Sequence, residues 1–372
     1  MSALAEIHEA RSSPQLAADS HRIENLPVLV LFPHSRCNCR CMMCDIWKVR
    51  QVREITEEDL KPHRDSLRTL KVRWIVFSGG EPLMHSNLEG LSRLCRVEGI
   101  RLTLLTAGLL LEPHASMIVR EMDDVIVSLD GPPEIHDGIR GVPNAYSRLA
   151  KGVRAVRTLN PRMQISARCT VQKQNFRHLR RTVRTARDLE LNSLSFLAAD
   201  VTSEAFNRAQ GWSDERQSAI ALTSSESDEL HNEMEDLIRE CHDEIEAGFI
   251  AEGPEKLRRI VRHFRARLGQ VEPVAPRCNA PWVSAVVEAD GALRPCFFHH
   301  PIGNLRDGPL HDVLNGRDAL NFRKQLNVQT NPVCQSCVCS LYIPAEARSG
   351  KSRLGASGAQ TQAIPVLRDF KS

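Results

Sequence analysis

Six short apolar runs, separated by longer charged segments, constrain this chain more than any other feature. They cover residues 26–32, 73–78, 101–106, 124–129, 164–171 and 193–197. Between them lie stretches such as 56–70 and 146–159, where apolar residues recur at helical spacing. Short β-branched runs read as buried strands. Alternation with helices implies parallel pairing, since each crossover returns the chain to start the next strand from the same end. The expected fold class is therefore α/β, a partial (β/α)6 barrel over residues 26–202. Barrels of this kind carry their chemistry at the C-terminal ends of the strands, and the polar motifs of this chain fall there.

The pattern changes after the sixth run. Residues 203–272 read as charged helix, expected to connect the barrel to a second domain and to cover the barrel mouth. A small cysteine-rich α+β domain is expected over 273–344, where strands at 283–288 and 293–298 flank Asp290-Gly291, a hairpin signal. Residues 1–25 form an N-terminal extension, and 345–372, rich in Gly, Ser, Ala and Gln, a frayed tail. A length of 372 residues suits one large domain and one smaller one.

With 49 Lys+Arg against 46 Asp+Glu, the charge is near balance, which removes the electrostatic case for a nucleic-acid binder. The first 24 residues lack the basic-then-apolar order of a signal peptide. No stretch approaches the ~20 apolar residues that span a bilayer. A cytoplasmic protein without membrane contact is expected.

In a reducing cytosol, twelve cysteines point to metal or redox use more than to disulfides. Their distribution is uneven. Cys37, Cys39, Cys41 and Cys44 follow the first strand, and Cys278, Cys296, Cys334, Cys337 and Cys339 lie near the end. Thiolates three and four residues apart in one loop can hold three corners of a cubane cluster and leave the fourth iron open. Structural zinc takes four ligands, usually in paired Cys-x-x-Cys knuckles, and the first triplet stands about 230 residues from the next group. Cys39 is a possible fourth ligand at a tight spacing. Further on, the strand at 74–78 runs into Gly79-Gly80-Glu81-Pro82. Successive glycines admit close backbone approach, and a carboxylate beside them can accept from an ammonium group. A plain strand-end turn is the bland alternative.

Cys37-x3-Cys41-x2-Cys44 after the first strand, with Gly79-Gly80-Glu81-Pro82 at the next strand end, resembles the radical S-adenosylmethionine (SAM) superfamily. Ser128-Leu-Asp-Gly131 and the following His136-Asp-Gly-Ile-Arg140-Gly extend the similarity, which runs over roughly residues 26–342. By that resemblance Cys37, Cys41 and Cys44 hold a [4Fe–4S] cluster. Gly79, Gly80, Glu81 and Pro82 meet the amino group of SAM, and Ser128 and Arg140 meet its carboxylate. A hydroxyl and a guanidinium suit that group, although a surface salt bridge is the competing use of Arg140. The residue before the third cysteine, often aromatic in the family, is here Met43, which can pack on a ring through its sulfur. Trp47 reads as a core residue, and His136 and Asp137 as structural.

Four thiolates among Cys278, Cys296, Cys334 and Cys337, with Cys339 as alternative to Cys337, suit an auxiliary [4Fe–4S] cluster or zinc equally on ligand chemistry. Their arrangement around Arg294-Pro295-Cys296 resembles the SPASM/twitch auxiliary-cluster domain of the same superfamily, in its short form. His299-His300 reads as a solvent-exposed pair.

The resemblance implies reductive cleavage of SAM to a 5′-deoxyadenosyl radical, hydrogen abstraction from an unactivated C–H bond, and an electron donor such as flavodoxin or ferredoxin. The expected substrate is a peptide side chain. The roughly 25 residues before the first strand are too few for a fused peptide-recognition domain, which keeps a small-molecule dehydrogenase or epimerase, acting for instance on an amino sugar, as the alternative. Outside enzymes the alternative is a zinc-stabilised binding protein. Asp200, just past the sixth strand, is a candidate base, with a capping role as its competing reading.

Overall fold

The computed structural model describes residues 21–344 except 97–98 and 209. Six strands run in parallel: β1 (Val28–Leu31), β2 (Trp74–Phe77), β3 (Arg101–Thr106), β4 (Asp124–Ser128), β5 (Gln164–Val171) and β6 (Ser193–Ala198). Each sequential neighbour pairs with the next, as short helical crossovers dictate. The helix expected over 56–70 is divided into Glu57–Leu60, a 3-10 turn at Lys61–His63 and Arg64–Thr69. Pro62 lies at the break, where it offers no backbone N–H to a continuing helix. Thr56 and Asp59 form a capping box at the start.

The sheet does not stop at β1. Strand β7 (Ser284–Val287) joins it there in parallel, with Val28 opposite Ser284 and Leu31 opposite Val287. The expected hairpin follows, β7 to β8 (Ala292–Arg294), and β9 (Gly303–Asn304) completes a nine-stranded sheet of order β6-β5-β4-β3-β2-β1-β7-β8-β9. Strand β8 ends at Arg294 rather than at 298. Pro295 has no N–H to give a ladder. The C-terminal strands therefore share one sheet with the six parallel strands.

Two apolar clusters hold the fold. The larger lies between sheet and helices and includes Leu29, Leu31, Ile75, Phe77, Leu104, Val125 and Phe196. The smaller lines the concave face, where Val28, Val30, Trp74, Val76 and Ile126 pack with Val283, Val286, Leu341 and Ile343. Residues of the C-terminal part, at 280–286 and 341–343, thus pack against the concave face of the sheet. Residues 21–26 are tied to the same end of the chain, since Asn315 bonds both the N–H and the carbonyl of Ile23 at 2.7 and 3.0 Å. The parts of the expected extension and tail at 1–20 and 345–372 lie outside the described residues.

The connector reaches the far edge. Ile250 bridges Leu194 in parallel beside β6, and the helix Pro254–Arg267 packs on the helix Ser224–Glu240. Among the described residues no helix is long and apolar enough to cross a membrane.

Candidate active site

The first cysteine loop is seated on β2 by backbone contact. Glu81 N–H donates to the Arg36 carbonyl at 2.8 Å. A Cβ on Gly80 would stand 2.1 Å from that same oxygen, so only glycine permits the approach. Gly79 has φ +95°, and a Cβ there would meet the ring of Phe32. The helix Pro133–Arg140 cradles the other side. Arg40 N–H donates to the Arg140 carbonyl at 2.9 Å and Met42 N–H to that of Ile139 at 3.0 Å. Gly141, left-handed at φ +62°, leaves room for the Arg40 carbonyl.

A third support comes from the segment read as connector. Arg208 donates to the Met43 carbonyl and Arg216 to that of Met42, both at 2.8 Å. Asn207 reaches the Asp45 carbonyl at 2.9 Å, and Trp212 Nε1 the Asp45 carboxylate at 2.6 Å. The Arg208 guanidinium lies 4.0 Å from the centre of the Trp212 ring. These residues carry no motif, and their charged segment reads along the chain only as a connector.

Within the loop Cys37, Cys41 and Cys44 all line one wall. Cys39 N–H points to the Cys37 sulfur at 3.4 Å, and Ile46 N–H to that of Cys44 at 3.4 Å. Arg140 Nη1 stands 3.5 Å from the Cys41 sulfur. A hydrogen bond from Cys39 and the charge of Arg140 hold the Cys41 thiol below its usual range against burial, whereas burial pushes Cys44 up to about 12. All twelve cysteines are free thiols.

The second group faces the first across one chamber of about 320 Å³. Its wall contains Cys37, Cys41 and Cys44 together with Cys278, Cys296, Cys334, Cys337 and Cys339. Cys339 lies 3.9 Å from Cys337, sulfur to sulfur, so the two alternatives for one ligand position are neighbours. His299 differs from expectation. It is buried, with Nε2 at 3.4 Å from the Cys334 sulfur and its ring against Phe322, while His300 is exposed near Glu204. The adjacent side chains point apart, and one of them enters the cysteine group. A vestibule of about 850 Å³, ringed by residues 46–53, 200–208 and 288–300, leads outward.

Two family models match the chain, the Radical SAM superfamily over residues 31–186 and the SPASM iron-sulfur cluster-binding domain over 278–338. The chain is a radical SAM family enzyme with a C-terminal SPASM domain. It is similar to the Fe-coproporphyrin III synthase of Methanosarcina barkeri, 26% identical over 300 residues, which are 77% of this chain and 73% of the relative. It is also similar to the PqqA peptide cyclase of Bradyrhizobium diazoefficiens, 25% identical over 216 residues, covering 57% of this chain and 54% of that one. In fold it resembles Streptococcus suis SuiB bound to S-adenosylmethionine, with TM-score 0.59 and 13% identity over 86% of this chain and 73% of SuiB.

A radical SAM enzyme with a SPASM domain carries a SAM-binding [4Fe–4S] cluster, SAM and auxiliary iron–sulfur. The donor sets fit. Both are groups of free thiols on one chamber wall, and in the first loop backbone N–H groups already point at two of the three sulfurs, those of Cys37 and Cys44.

The expected SAM-contact residues of this radical SAM enzyme divide into two sets. Gly79, Gly80, Ser128 and Arg140 line the chamber. Glu81 and Pro82 do not. The Glu81 carboxylate is fully buried and accepts from Thr106 Oγ1 (2.8 Å), Ala107 N–H (2.8 Å) and Leu83 N–H (3.1 Å), tying the ends of β2 and β3 together. Arg140 is not on the surface. It makes a buried ion pair with Asp130 at 2.6 Å, leaving Nε without a partner. Asp200 accepts from Thr202 N–H, Ser203 and Arg208 Nη1 (2.9 Å), so its oxygens are engaged in capping the loop and anchoring the clamp. Met43 is buried on the chamber wall. Trp47 is only half-buried, outside the core, and donates to the Cys44 carbonyl at 2.9 Å. His136 and Asp137 are structural: His136 Nδ1 accepts from Asp130 N–H, and Asp137 accepts from Tyr146 N–H.

Proposed function

We propose that this enzyme abstracts hydrogen from a peptide side chain presented through the vestibule, using one auxiliary [4Fe–4S] cluster and an electron donor of the flavodoxin or ferredoxin kind. The observation that carries this reading is the single chamber lined by both cysteine groups. Cys37, Cys41 and Cys44 would hold the first cluster. Cys278, Cys296 and Cys334 would hold the second, with Cys337 or Cys339. When bound, a reduced cluster together with SAM would supply a carbon radical able to attack an unactivated C–H bond.

The protein residues do the rest. Gly79 and Gly80 expose backbone to the amino group of SAM, and Ser128 and Arg140 face its carboxylate. Arg140, fixed by Asp130, brings a positive charge beside Cys41 that favours the thiolate. The apolar wall formed by Val28, Val30, Val76 and Leu105 excludes water from a radical intermediate. A vestibule of about 850 Å³ beside the chamber suits a side chain entering from a larger body held outside.

A second reading takes a tetrapyrrole in place of the peptide. It is favoured by the similarity to the Fe-coproporphyrin III synthase over most of the chain. The test is anaerobic reconstitution with iron and sulfide, then SAM and dithionite. Wild type is expected to form 5′-deoxyadenosine, and the Cys37→Ala/Cys41→Ala/Cys44→Ala variant to form none while keeping the iron of the second group. Deuterium from a labelled peptide or from a labelled tetrapyrrole precursor of Fe-coproporphyrin III, recovered in 5′-deoxyadenosine, decides between the readings. A colourless zinc protein would sink both.

A further inference from the structure

Three arginines stand on the chamber wall, Arg140, Arg168 and Arg208. Two are accounted for. Arg140 is paired with Asp130, and Arg208 with Asp200 and the Met43 carbonyl. Arg168 differs. On β5 the side chains alternate, with Ile165, Ala167, Cys169 and Val171 buried against the helices and Arg168 and Thr170 on the chamber side. Arg168 stands opposite Ser128 on β4 and Ser195 on β6. Its Nε is buried without a hydrogen-bond partner, and among the described residues no carboxylate forms an ion pair with its guanidinium.

A half-buried guanidinium on an apolar chamber wall with no ion-pair partner in contact is costly, so its retention points to a ligand that arrives with the opposite charge. Its surroundings narrow the position. The charges that act on Arg168 are those of Cys339, in the second cysteine group, and Glu252, beside β6, whereas Arg140 answers first to Asp130 and then to Cys41, and Arg208 first to Asp200 and then to Cys44. Glu252 is not its partner by contact: one carboxylate oxygen accepts from Phe196 N–H at 2.8 Å and the other has no hydrogen bond.

We propose that Arg168 anchors a carboxylate of the substrate, at the end of a short aliphatic arm, between the two cysteine groups. A planar guanidinium whose donors face an apolar chamber binds such a group through paired, charge-assisted hydrogen bonds. The chemistry is the same for a glutamate side chain of a peptide and for a propionate of a tetrapyrrole. The inference rests on the radical SAM reading of the chamber, but its test is separate from radical formation.

The experiment measures equilibrium binding to the reconstituted, anaerobic holoenzyme. Fe-coproporphyrin III and its tetramethyl ester form one arm. Glutamate-containing octapeptides and their glutamine counterparts form the other. At least one acid probe is expected to bind wild type better than its neutral counterpart. Arg168→Gln is expected to weaken that binding about 10- to 100-fold, and Arg168→Lys to keep part of it. The arm that responds identifies the source of the carboxylate.

Acid and neutral probes binding alike, or neither acid probe binding, would overturn the proposal. So would an Arg168→Gln variant that weakens SAM instead, which would assign the guanidinium to the carboxylate of SAM. An altered signal from the second cluster with probe binding intact would give Arg168 a tuning role and also refute it. Absence of 5′-deoxyadenosine from wild type would count against the proposed function and leave these binding results standing.

Discussion

Gly80 illustrates how one missing atom positions a cluster loop. Its Cβ would lie 2.1 Å from the Arg36 carbonyl, an oxygen that already receives the Glu81 N–H. Gly80→Ala therefore forces the start of the cysteine loop away from β2. The expected cost is about 1–3 kcal/mol of stability, with fewer irons per chain after reconstitution. Thermal unfolding and iron analysis together check this, and wild-type iron content in the variant would refute it. Glu81 conveys a related lesson. Its position in the motif suggested a ligand contact, yet full burial and three hydrogen bonds make it a staple between strand ends. Local order along the chain could not distinguish these roles, because both place a carboxylate after two glycines.

At the scale of elements, Asn207, Arg208, Trp212 and Arg216 act as a clamp on the loop. Arg208 is the centre of it, joining Asp200, the Met43 carbonyl and the Trp212 ring. Replacing Arg208 by Met keeps much of the packing but leaves Asp200 buried without its counter-ion. Loss of one partner from such a pair costs about 3–5 kcal/mol. The variant is expected to unfold at lower urea and to bleach faster in air than wild type. Equal bleaching rates would show that the clamp does not protect the first cluster. This segment was read only as charged connector, since its contacts join residues more than 160 positions apart.

The whole molecule is organised around one continuous sheet. Strand β7 pairs with β1, and Val283, Val286, Leu341 and Ile343 fill the concave face beside Val28, Val30 and Trp74. A chain ended at residue 272 would expose that apolar face and the β1 edge together. It is expected to aggregate on size-exclusion chromatography and to be cut rapidly by protease. A monomeric, protease-resistant product would show that the barrel is complete without its C-terminal part.

The repeating strand–helix pattern and the cysteine spacings lay open in the linear sequence. Each depends on neighbours: periodicity sets which face is buried, and a loop of eight residues brings its own thiols together. Strands at 101–106 and 164–171 were legible to the residue for that reason. Tertiary structure alone decided that the two cysteine groups share a chamber, that His299 enters the second group, and that Arg140 is buried on Asp130. The unmatched charge of Arg168 belongs with these. A counter-ion is defined by distance in space, and no spacing along the chain reveals whether one is there.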